Sequence, residues 1–178
     1  MKKVLIVLGI VVVVLLAVGF ALPTEYEIEE SIVIRATPAR IHAWVGDLEQ
    51  WPAWIPWTEE DPTIVTTYGD KTSGPGASQS WSGKDGDGEL TFTACDPSTG
   101  IAYDMAFILG DTRAPARSAM TYETNGDETT VVWTMEGDVD DFMPPVVSGY
   151  MTPVLKMSIR GAFERGLEKL KTAVESGG

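Results

Sequence analysis

Cysteine and histidine are nearly missing from this 178-residue chain: Cys95 and His42 are the only ones. One cysteine excludes an intramolecular disulfide and leaves the redox compartment undecided. One of each is too few for a zinc site, which draws on several such ligands. His42 sits beside Ile41 at the edge of a predicted helix face and is read as a structural or exposed side chain. Gly74-Pro75-Gly76 lacks the Gly-Lys-Ser/Thr of a phosphate loop. Asp85-x-Asp87-x-Glu89 loosely resembles a calcium loop but lacks the twelve-residue pattern, and reads as a solvated hairpin. No catalytic residue, metal site or cofactor is assigned. Basic residues are also scarce, with 13 Lys+Arg against 26 Asp+Glu and a net charge of −13. Without Lys2 and Lys3 the balance is 11 − 26, or −15. So acidic a surface repels nucleic acid and anionic headgroups.

A long apolar run occurs once. Val4 to Leu22 holds nineteen residues without a charge, close to the ~20 that cross a bilayer as a helix. Lys2 and Lys3 precede it, and Glu25, Glu27, Glu29 and Glu30 follow it. The positive-inside rule then puts the N-terminus in the cytoplasm and the rest outside, periplasmic or extracellular. The alternative is a cleaved signal peptide, with small residues at Ala17-Val18-Gly19 or Gly19-Phe20-Ala21. The run exceeds the ~7–15 residues of a signal h-region, which favours a single-pass anchor. Residues 1–23 are therefore the anchor or signal segment, and 24–178 form one domain.

The domain opens on a strand predicted over 26–35, which ends in the β-branched run Ser31-Ile32-Val33-Ile34-Arg35. Thr37 and Pro38 then start a helix, with Ile41, Trp44, Val45 and Leu48 on one face. Trp51, Trp54 and Trp57 follow among prolines. Further strands are predicted over 63–68, 77–82, 89–95, 101–107, 116–124 and 129–136, with a turn over 109–115. Gly83 to Gly88 and Asn125-Gly126 are hairpin signals. From about Met151, Leu155, Ile159, Phe163, Leu167, Leu170 and Val174 predict one amphipathic helix, with Pro153 in its first turn. The order implies an α+β fold, a curved antiparallel sheet packed on a long C-terminal helix.

Several ordered phrases resemble the START-like or SRPBCC superfamily, in its polyketide cyclase/dehydrase branch. They are Ser31-Ile32-Val33-Ile34 with Thr37-Pro38 and Trp44, Leu48-x-x-Trp51-Pro52-x-Trp54, Gly88-x-Leu90-x-Phe92, Thr129-x-Val131-x-Trp133-x-x-Glu136-Gly137, and the helix Ala162 to Lys171. The resemblance implies a helix-grip fold, its sheet wrapped around the C-terminal helix with a cavity for an apolar molecule between them. It places the tryptophan turn near the mouth of that cavity. A membrane anchor departs from the usual soluble form.

Alternation points Tyr103, Met105 and Phe107, and Val131, Trp133 and Met135, inward, with Asp104 and Glu136 outward. The candidate ligand-binding residues are Trp54, Trp57, Trp81, Phe92, Tyr103, Met105, Met120, Tyr122, Trp133 and Met157. Met143, Met151 and Phe163 are candidates for the helix side. The same residues also suit a filled core. The expected partner is a hydrophobic small molecule, a lipid, isoprenoid or aromatic compound, with membrane contact through Val4–Leu22. The alternatives are an interaction module without ligand and an enzyme of the cyclase/dehydrase kind using Tyr103 or Tyr122. Oligomeric state is left open.

Overall fold

The β-branched run forms the end of β1 (Glu25–Ile34) in a computed structural model that describes residues 2–84 and 86–176. Asp85, the first acidic residue of the calcium-loop-like hairpin, lies outside them. Six more strands follow: β2 (Val65–Tyr68), β3 (Ser78–Ser82), β4 (Asp87–Asp96), β5 (Gly100–Leu109), β6 (Thr112–Asn125) and β7 (Glu128–Asp138). They form one antiparallel sheet in the order β1-β7-β6-β5-β4-β3-β2. Only β1 is out of sequence, because the chain crosses to the far edge between β1 and β2. The apolar run is α1 (Lys2–Ala21).

Register keeps the two faces distinct. Asp104, Arg117 and Glu136 are cross-strand neighbours and form an exposed ladder, with Arg117 3.8 Å from Asp104 and 3.6 Å from Glu136. Such solvent-screened pairs contribute little stability. Their neighbours Tyr103, Val131, Trp133 and Met135 are buried on the other face. Gly100 closes the β4–β5 turn at φ +115°, where a Cβ would lie 1.9 Å from the Met120 carbonyl. Only glycine fits there.

Strand β6 starts earlier than its sequence indicates. Leu109 to Pro115 was expected as a turn, yet β6 begins at Thr112 and includes Pro115. Pro115 pairs with Ala106 of β5, whereas pairing with β7 begins only at Ala116. The proline occupies a one-sided part of the ladder, where its missing N–H is tolerated.

Helix α2 (Pro38–Val45) begins at Pro38 with Thr37 as its N-cap, but the Thr37 side chain makes no capping bond. A 3₁₀ helix (Leu48–Ala53), capped by the Asp47 carboxylate accepting from the Glu49 N–H, and the short α3 (Trp57–Glu60) complete the tryptophan segment. Helix α4 runs from Pro145 to Ser176, 32 residues. It is longer than the helix expected from Met151. The Pro144-Pro145 pair starts the helix, since proline is favoured at a first helical position. Pro153 therefore lies inside α4 and not in its first turn. Ala162, Phe163, Leu167, Leu170 and Val174 are buried against the sheet.

Candidate functional site

The tryptophan segment is fixed by its own polar atoms. Helix α2 ends with carbonyls that lack intrahelical partners. The Trp51 indole N–H donates to the Val45 carbonyl at 2.9 Å, and that of Trp54 to the Trp44 carbonyl at 3.1 Å. Both rings are thereby drawn inward and buried. Trp51 then packs against Trp54, Phe92 and Tyr103, with ring centroids 5.5–5.7 Å apart. Trp54 meets Trp133 at 5.6 Å. Trp133 stacks on Phe163 of α4 at 3.8 Å and 5°. This aromatic wall joins the segment, the sheet and the long helix.

Beside the wall the space between sheet and α4 is hollow. The cavity holds about 400 Å³. Tyr103, Met105, Phe107, Leu90 and Met135 line it on the sheet, with Leu155, Ile159 and Phe163 on α4. Trp51, Ile55 and Trp57 close one end, and Trp81 and Phe142 contribute further apolar surface. Trp81 lies over Gly88, where a Cβ would stand 2.1 Å from the indole; the glycine gives the ring its place. Thr58, Asp61, Thr66, Tyr68 and Gln79 add polar groups from α3 and its C-cap, β2 and β3.

Of the ten candidates, Trp57, Trp81, Tyr103 and Met105 line the cavity. Trp54, Phe92, Met120, Tyr122 and Trp133 are buried in the packed core and are not on its wall. Met157 is 71% exposed and turns away. It stands two positions, about 200° at 3.6 residues per turn, from Leu155. Leu155, Ile159 and Phe163 supply the helix wall that Met157, Met143 and Met151 were expected to share. Tyr26, Phe142 and Ile159 were missed as site residues. The inward alternation of Tyr103 and Met105, and the Leu155–Ile159–Phe163 stripe, carried most of the available signal.

Two of the tyrosines that line the cavity keep their hydroxyls neutral. The Trp133 indole N–H donates to the Tyr103 hydroxyl at 3.2 Å and to Ser118 Oγ at 3.1 Å, and the Ser118 hydroxyl donates to the Thr134 carbonyl. Burial raises the Tyr103 pKa to about 12. Burial, reinforced by Asp141 and Asp138, does the same for Tyr26. Asp61 accepts from the Thr63 N–H and hydroxyl, which lower its pKa.

A separate polar cluster fills the other end of the sheet. His42 Nδ1 lies 3.3 Å from the Tyr122 hydroxyl, and His42 Nε2 lies 3.3 Å from Cys95 Sγ. Burial lowers the His42 pKa, opposed by Asp96, and raises that of the Cys95 thiol. Both residues are thus neutral near pH 7, and no reactive thiolate is prepared. His42 binds its proton less readily folded than unfolded. Its contribution to stability is present above about pH 6.5 and is lost as pH falls through the depressed folded value. The melting temperature is expected to drop on acidification below that point, more steeply than in His42→Gln, as differential scanning calorimetry across pH 4.5–7.5 will show. Loss of the Asp61 and Asp96 contributions comes only further down, around and below their ordinary value of 3.8.

A model of the family described as polyketide cyclase/dehydrase and lipid transport matches residues 25–175. The chain belongs to this family. The match takes in the whole sheet and nearly all of α4, and its fold is a hydrophobic ligand-binding one. Solved structures share the helix-grip architecture at low identity. A Chromobacterium violaceum protein matches with TM-score 0.61 and 15% identity over 84% of this chain and 96% of its own. Ara h 8.0201 matches with TM-score 0.61 and 14% identity, over 85% and 99%. A Thermobifida fusca protein matches with TM-score 0.60 and 22% identity, over 83% and 92%. No curated protein sequence matches the chain.

Proposed function

We propose that this family member holds one hydrophobic small molecule, a lipid, isoprenoid or aromatic compound, between sheet and α4, at the outer face of a membrane. The observation that carries the reading is the cavity of about 400 Å³ with its largely apolar walls, within the ~300–1,000 Å³ that small-molecule sites occupy. Apolar burial supplies the affinity, at ~25 cal/mol per Å² before the costs of association. The Tyr103 hydroxyl and the polar residues near Trp57 orient the ligand. Neutral Tyr103, with a pKa near 12, is a hydrogen-bonding group and a poor proton acceptor at pH 7, which weighs against the cyclase reading. Tyr122 is not on the cavity wall.

Anchoring by α1 is supported by how its end is built into the domain. Gly19 is buried against Val146 and Tyr150 of α4. Thr24, just beyond, offers its carbonyl to the Val139 N–H at 3.1 Å. A cleavage near Ala21 would strip α4 of this cover. The binding claim is tested with an alkyl chain carrying a diazirine, added to the full chain in nanodiscs and photolysed. Mass spectrometry is expected to place adducts on β5 and on Leu155–Phe163. Adducts confined to α1 would refute it.

A further inference from the structure

We infer that the start of α4 and the segment before it, residues 142–157, are immersed in the outer leaflet beside α1, so that the domain dips into the bilayer. The inference rests on reading α1 as an uncleaved anchor. Its basis is depth. The Tyr150 hydroxyl donates to the Leu15 carbonyl at 2.7 Å. Leu15 lies seven residues before Leu22, about 10 Å down a helix rising 1.5 Å per residue. If α1 spans the membrane, Tyr150 is held at that depth. The two helices approach closely because glycines face each other. A Cβ on Gly149 would stand 2.6 Å from Leu22 Cβ, and one on Gly19 would stand 2.5 Å from the Val146 carbonyl. Small residues at such a crossing are the usual packing device between helices in lipid.

The surface of this segment is inverted relative to a water-facing helix. From Phe142 to Met157 the one charged residue is Lys156, at the C-terminal end of the segment. Its polar side chains turn inward: Ser148 and Thr152 are buried, Ser148 paired with Asp140, and Thr152 with the Ser148 carbonyl at 2.9 Å. Four of its apolar side chains turn outward: Val147, Tyr150, Val154 and Met157 are between 40% and 71% exposed. Helix α1, which packs against α4, is likewise apolar and exposed along most of its length. Water covers neither well, whereas interfacial helices bury ~5–10 Å into the headgroup and acyl boundary. The domain is strongly acidic, so the contact is apolar and does not depend on anionic lipid. Phe142 belongs both to this segment and to the cavity wall, which puts the ligand space beside the acyl chains.

Single cysteines at Val147→Cys, Val154→Cys, Val11→Cys and Glu123→Cys, in a Cys95→Ser background, are labelled with an environment-sensitive fluorophore in nanodiscs containing nitroxide-bearing lipid. Labels at 11, 147 and 154 are expected to lose at least about half their emission, with that at 123 unchanged, for a face buried ~5–10 Å. Quenching at 11 without quenching at 147 and 154 overturns this inference alone, whether water or a second copy covers the face. No quenching at 11 overturns the anchor reading and the inference with it. A membrane-confined carbene reagent applied to the unmodified chain gives the same reading, labelling 142–157 or sparing it.

Discussion

Ile159→Trp leaves the domain folded and cuts photolabelling of β5 by the alkyl diazirine about ten-fold or more, a loss of ~1.4 kcal/mol or greater in binding. Ile159 is half-buried because one side of it faces the cavity. An indole there takes up ligand volume without displacing a packed neighbour. A core position would behave differently, since overpacking a filled interior costs ~1–3 kcal/mol of stability. Unchanged melting with lost labelling is therefore the signature of a cavity residue. Equal labelling in both proteins would place the alkyl chain elsewhere.

The second large effect is on stability. Trp133→Ala is expected to destabilise the domain by ~3–5 kcal/mol, as for other large buried aromatics. Trp133 is fully buried. It stacks on Phe163, meets Trp54 and Trp57 edge-on, and donates to Tyr103 and Ser118. Its removal opens a void and leaves two buried hydroxyls short of a partner. At ~2–4 °C per kcal/mol for a domain of this size, melting falls by roughly 10 °C. Trp81→Ala is the contrast. Trp81 is half-buried on the cavity wall and already lacks neighbours on one side, so its loss disturbs binding more than melting. The reverse ranking in chemical denaturation would mean that the hollow lies near Trp133.

The two experiments separate what was legible in the sequence from what was not. Period-two alternation at Tyr103, Met105 and Trp133 identified the inward face, because side-chain direction in a strand follows position alone. The α4 stripe identified a helix face by the same kind of rule. Neither says whether opposing faces touch. Phe92, Met120, Tyr122 and Trp133 point inward like Tyr103 and Met105, yet they meet α2, the 3₁₀ helix and α4 in the filled part of the core. The difference is set by the Trp51 and Trp54 indoles reaching back to α2, a contact that no local pattern encodes. Met157 was misplaced because residue type outweighed helical phase. The onset of α4 was misjudged because Pro144-Pro145 reads equally as a breaker and as a helix start. The Tyr150–Leu15 contact joins residues 135 apart and was beyond any periodicity.

The central claim is a ligand-holding cavity between sheet and α4. It is tested most directly by native mass spectrometry of the full chain, purified from its own membranes and compared with Ile159→Trp. One hydrophobic molecule is expected bound per wild-type chain, released on unfolding, with little or none on the variant. Wild-type chains without a bound molecule, even after exposure to lipid extract, would contradict it, as would equal occupancy of the two proteins.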